Sequence, residues 1–185
     1  AALLPKIMLK NPDIFLKPDQ LRKPKPIEEA SRETLFLQME GEERFGQYRA
    51  LVRQSFARDA SVLFVVPTHL DTEKVHEELS RGISEFVYVL TLEQSRKDFT
   101  KNWEKALGEK HPVLLITTPA GLLFPRADID TIMIERASSR AYRQMVRPFA
   151  DLRFFIEKLA AKKEWRLVMG DSLLPIELLW RSKSG

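Results

Sequence analysis

A carboxylate and a guanidinium stand side by side at Glu135-Arg136, where the apolar run Thr131-Ile132-Met133-Ile134 ends. An acid at the end of a buried strand is a natural place to hold a divalent cation over a polyphosphate. Magnesium favours several oxygen ligands in a tight octahedron, so an ATP-driven motor needs a second acid there. In this chain the neighbour is Arg136, followed by Ala137 and Ser138. A second group of chemical interest is Arg136, Arg140, Arg143 and Arg147, spaced four, three and four. A helical segment would bring all four to one face, as a stripe about 16 Å long. Such a stripe could meet several phosphates of a nucleic acid, and these arginines are the candidate DNA-binding residues. The other reading is a solvated loop with surface arginines, since Ser138-Ser139 suits a turn or cap.

The elements around these residues read as alternating strands and helices. Three apolar runs, starting near Val113, Thr131 and Arg166, each end in polar residues. They read as neighbouring buried strands, and the chemistry of such a sheet sits just past the carboxyl ends. Upstream, Leu35–Gln38 and Val62–Val66 read as further strands and Phe86–Leu90 as a short one. Asp71 with Lys74, Val75 and Leu79 predicts a capped amphipathic helix. Leu92–Leu107 predicts another, with Leu92, Phe99, Trp103 and Leu107 on one face and Gly108 at its end. Pro148–Lys163 predicts a third, with Leu152, Phe155, Ile156 and Leu159 as its buried stripe. This alternation implies an α/β fold: a mostly parallel sheet with helices on both faces. Trp165 and Trp180 flank the last strand and its following helix and read as packing residues.

The order of these segments resembles the first motor lobe of the primosomal replication-restart helicases, the primosomal protein N′ family of helicase superfamily two. Thr117-Thr118-Pro119-Ala120-Gly121-Leu122-Leu123-Phe124-Pro125 is similar to that family's Thr-Arg-Ser-Ala-Leu-Phe-x-Pro stretch. Glu135-Arg136-Ala137-Ser138 stands where the family has Asp-Glu-Glu-His. Ser139 to Gln144 follows its Asp-Ser-Ser-Tyr-Lys-Gln, keeping Tyr142 and Gln144. Gly170 to Glu177 resembles Gly-Ser-Ala-Thr-Pro-Ser-x-Glu with one residue extra, keeping Gly170, Pro175 and Glu177. The resemblance covers roughly Thr34 to Trp180. It implies a RecA-like lobe of the P-loop NTPase type over residues 34–185, with degenerate ATPase motifs.

Counting back from Val62-Leu63-Phe64-Val65-Val66-Pro67, the resemblance places the phosphate-binding loop on Gly41-Glu42-Glu43-Arg44-Phe45, with the helix leaving it at Gly46–Arg58. A working loop uses glycines to converge backbone N–H groups on phosphate, a Lys to neutralise it and a hydroxyl to hold magnesium. Glu42 and Glu43 oppose phosphate, Phe45 has no hydroxyl, and Arg44 keeps a cation of bulkier, planar shape. Gly41, Arg44, Phe45, Glu135 and Arg136 are therefore the degenerate nucleotide-site positions. No other Gly-rich loop with Lys and Ser or Thr occurs in the chain. The expectation is a chain with no catalytic residues, no cofactor and no metal.

Composition narrows the class further. The 185 residues suit one domain with a substantial core, and 44% are hydrophobic. No apolar run is long enough to span a membrane, and Ala1–Leu4 is too short for a signal peptide. Cys is absent, which excludes a disulfide scaffold and a thiolate zinc site; His69, His76 and His111 are too scattered for a three-His metal site. Position 1 is Ala and not Met, which suggests an excised segment. Residues 1–33, with Pro5, Pro12, Pro18, Pro24 and Pro26 among lysines, read as an extended segment or linker. The net charge of +4 permits nucleic-acid binding without requiring it. The resemblance implies a cytoplasmic protein, with branched or forked DNA and replication proteins as its partners. A lobe that retains DNA or partner binding, a purely protein-interacting scaffold, and an ATPase with unusual motifs are the three functional readings.

Overall fold

The computed structural model describes residues 33–184 apart from 146 and 148, and side chains through Trp180. The expected linker, 1–33, lies outside the described residues except for Glu33. The six long strands are β1 (Thr34–Gln38), β2 (Ser61–Val65), β3 (Val87–Leu90), β4 (Leu114–Thr117), β5 (Ile129–Glu135) and β8 (Arg166–Asp171). They form one sheet in the order β1-β8-β5-β2-β4-β3, and every pairing in it is parallel. A two-residue pair, β6 (Arg143–Gln144) with β7 (Ala150–Asp151), forms a small antiparallel ribbon. The helices are α1 (Gly41–Ala57), α2 (Leu70–Leu79), α3 (Arg96–Gly108), α4 (Leu152–Lys163) and α5 (Ile176–Ser184). The expected α/β class holds, as a parallel sheet with helices around it.

Every residue of the inner strands β2, β4, β5 and β8 is buried, which is why their central residues are apolar without alternation, the polar ones standing at or near the strand ends. Successive side chains still leave the sheet on opposite faces. Val62, Phe64, Ile116, Met133 and Val168 join Phe45, Tyr48, Val52 and Val75 of α1 and α2 in one core layer. Leu63, Val65, Leu115, Ile132, Ile134 and Met169 join Trp103, Ile156 and Leu178 of α3, α4 and α5 in the other. The edge strands β1 and β3 are only partly covered.

Several element boundaries differ from expectation for local reasons. The helix expected from Leu92 begins at Arg96, because Ser95 caps it by accepting the Asp98 amide. Leu92 is therefore an exposed loop residue. The helix expected from Pro148 begins at Leu152, because Asp151 accepts the Arg153 amide and caps it there. Trp165 packs into the core, whereas Trp180 is 59% exposed.

Candidate functional site at the carboxyl edge of the sheet

The largest departure from expectation is at the start of α1. The predicted phosphate loop, Gly41–Phe45, is the first turn of the helix itself, and only Met39 and Glu40 separate β1 from it. The cause lies in the residues of this stretch. Glu42 and Glu43 sit in the first helical turn, where the helix dipole favours negative charge. With Gly41 as the single glycine, nothing holds the backbone open around an anion, so the chain goes directly into helix. The helix leaving the loop starts at Gly41, not Gly46.

This early start carries Arg44 and Tyr48 over the sheet. Glu135 ends β5 with 4% exposure, and Arg44 is 5% exposed. Arg44 grips Glu135 with two parallel hydrogen bonds, Nη2 to Oε1 at 2.8 Å and Nε to Oε2 at 3.0 Å. Its remaining nitrogen, Nη1, donates to the Met39 carbonyl and lies 3.4 Å from Ser172 Oγ. The Tyr48 hydroxyl donates to Glu135 Oε2 at 2.8 Å. Burial works against the Arg44 charge, but hydrogen bonding and attraction to Glu135 outweigh it and raise its pKa. Burial, then the charge of Glu135 and the hydrogen bond to it, push the Tyr48 pKa well up, so this phenol stays a donor. The two carboxylate oxygens thus face three nitrogen or oxygen donors from α1. This donor set does not fit a magnesium ion, which would have to displace a guanidinium from a bidentate pair.

Gly170 makes the crossing possible. It lies on β8 between β1 and β5, beside Leu37 on one side and Glu135 on the other. A Cβ at Gly170 would stand 1.8 Å from the Tyr48 hydroxyl oxygen and 2.8 Å from Arg44 Cδ. Behind it, Asp171 accepts the Ser138 and Ser172 amides, each at 2.7 Å, and so binds the turn after β5 to the end of β8. Tyr142, fully buried, places its hydroxyl 2.8 Å from the Glu135 carbonyl and 3.1 Å from the Val65 carbonyl. Burial, then the charges of Glu135 and Asp71, push its pKa well up.

Arg136 does not share the site with Glu135. Its backbone is left-handed, with φ 52°, and its half-exposed side chain turns to Asp71 near the start of α2, Nη1 to Oδ1 at 2.6 Å. The guanidinium that neutralises Glu135 comes from Arg44, far away in sequence. The four-arginine stripe is likewise not a helix face. Arg140 opens a single 3-10 turn, Arg143 lies in β6, and Arg147 is in the bend between β6 and β7. All four side chains are exposed, and Arg143 Nε lies 3.8 Å from an Asp151 oxygen. Sequence reasoning missed Tyr48 and Asp171. Tyr48 is four residues beyond Arg44 on the same helix face, a spacing that is informative only once the helix is known to begin at Gly41.

No family model matches the chain, and no curated protein is similar to it. A solved structure of an XPD helicase is similar at 15% sequence identity and a TM-score of 0.47, over 82% of this chain and 33% of that one. The chain spans about a third of the length of that helicase. Identity this low assigns no residue a role and the chain no activity. Among the described residues, no helix is long and apolar enough to cross a membrane.

Proposed function

We propose that this chain is a catalytically inactive, helicase-like lobe of the primosomal protein N′ type, which serves replication restart by binding branched or forked DNA or replication proteins. The observation that carries the reading is the buried Arg44–Glu135 pair. The acid best placed to hold a metal is taken by an arginine that stands where the resemblance puts the phosphate-binding Lys. The direct entry of β1 into α1 supports the same reading, because it leaves no loop to cradle a phosphate. The exposed arginines after β5 are the groups through which DNA phosphates would be held.

Two measurements test this. Millimolar ATP with magnesium is expected to leave the melting temperature unchanged, because a ligand that does not bind the native state supplies no linkage stabilisation. A magnesium-dependent rise would end the reading of an inactive lobe. Fluorescence anisotropy with forked DNA at two salt concentrations is expected to show binding that falls steeply with salt.

A second reading, a scaffold that binds only proteins, is favoured by one specific observation. Large exposed apolar side chains follow the carboxyl ends of four strands of the main sheet: Leu70 after β2, Leu92 after β3, Leu123 after β4 and Leu173 after β8. If they form one contiguous surface with a partner, apolar side chains of this kind would contact protein and not phosphate. Absence of DNA binding at low salt would favour this scaffold.

A further inference from the structure

We infer that Arg44, Tyr48 and Glu135 form a built-in clasp, in which side chains of the chain occupy the site as its own permanent ligand and lock α1 to the sheet. The inference deepens the reading of an inactive lobe and rests on it for its functional meaning. The groups that meet Glu135 belong to α1 itself, so they fill the site without a ligand from solution.

The geometry supports a clasp instead of an incidental ion pair. Glu135 belongs to β5, whereas Arg44 and Tyr48 belong to α1, which follows β1, and β8 lies between β1 and β5 in the sheet. The bonds therefore bridge a strand that offers no side chain at Gly170. Glu135 accepts three hydrogen bonds from α1, two from one guanidinium edge and one from one phenol. The third guanidinium nitrogen returns to the Met39 carbonyl, in the short link between β1 and α1. One side chain thus joins the end of β1, the start of α1 and the end of β5. At its other end α1 is fastened to the same strand, because Ser55 Oγ donates to Asp130 at 3.0 Å.

The test replaces the carboxylate from solution. Glu135→Ala leaves the Arg44 guanidinium buried beside a gap of roughly acetate size. Its melting temperature is expected to fall by on the order of 10 °C. Sodium acetate at about 50 mM should recover a measurable part of that loss relative to sodium chloride of equal ionic strength. Acetate should have no such effect on the wild type or on Arg44→Met/Glu135→Ala, where no cation awaits it. Equal effects on all three proteins, or an unchanged melting temperature in Glu135→Ala, would overturn the clasp. If Glu135→Ala does not fold, Glu135→Gln, which keeps volume and an acceptor but no charge, is measured by amide hydrogen exchange. The hydrogen-bonded amides of α1 from Arg44 onward should exchange about tenfold faster while α3 is unchanged, and unchanged exchange in α1 would overturn the clasp. A nucleotide-dependent shift in the wild type would refute the inactive lobe, whereas acetate and exchange judge the clasp alone.

Discussion

Gly170 contributes to the site by having no side chain. The sequence marks it as one of the residues that keep the pattern of the resemblance, which says nothing of why a glycine is needed. The reason is space: the Tyr48 hydroxyl and the Arg44 stem fill the volume that a Cβ would take. Gly170→Ala must push both away from Glu135, and overpacking of this kind costs about 1–3 kcal/mol. A fall of about 3–10 °C in melting temperature is expected, and a neutral effect would show that α1 can move aside freely. At this scale the sequence was partly legible. It marked Arg44 and Glu135 as changed positions, but not that they meet. It also gave Arg136 the role of disturbing Glu135, because adjacency in sequence is visible and a left-handed turn toward Asp71 is not.

Elements were legible where burial dictates the pattern and less so where capping sets a boundary. The inner strands declare themselves through apolar central runs, since both faces of the sheet are covered. The start of α4 does not, because a single capping contact outweighs the apolar period that extends upstream of it. Asp151 accepts the Arg153 amide at 3.0 Å and Arg153 Nε at 2.9 Å, while Arg153 Nη1 donates to the Ala137 carbonyl at 2.8 Å. The Asp151 pKa is lowered, first by its hydrogen bond to the Arg153 side chain, against the opposing effect of burial. Asp151 is therefore a group with a depressed folded-state pKa. Its contribution to stability is fully present above the unfolded value of about 3.9 and is lost as pH falls through the folded value. Asp151→Asn is expected to melt below the wild type between about pH 5 and 7. The difference should narrow as the pH drops below about 4. A difference independent of pH would assign the effect to packing at the start of α4 instead of to the charge.

At the scale of the whole molecule, the carboxyl edge gathers the features that a partner would meet. Exposed Leu70, Leu92, Leu123 and Leu173 follow strand ends there, and Arg136, Arg140, Arg143 and Arg147 lie between β5 and α4. Lys162 and Lys163 close α4 at the opposite edge, just before β8 begins. The α/β class was legible from alternation alone, but the stripe was not, because spacing of four, three and four aligns arginines only if the backbone is helical. Between β5 and α4 it is a 3-10 turn and a two-residue ribbon. The charge nonetheless remains local to one edge, and this makes a comparison possible. Replacing Arg140 and Arg143 with Glu should weaken forked-DNA binding far more than replacing Lys162 and Lys163 with Glu, although both pairs change the net charge equally. The salt dependence should flatten by about one logarithmic unit of slope for each phosphate that is no longer neutralised. Arginine makes the comparison sharp, since it binds phosphate oxygens bidentately and keeps its charge at any working pH. Anisotropy titrations of both variants at two salt concentrations measure this directly. Equal losses would mean that DNA is held by diffuse charge, with the arginines after β5 playing no special part.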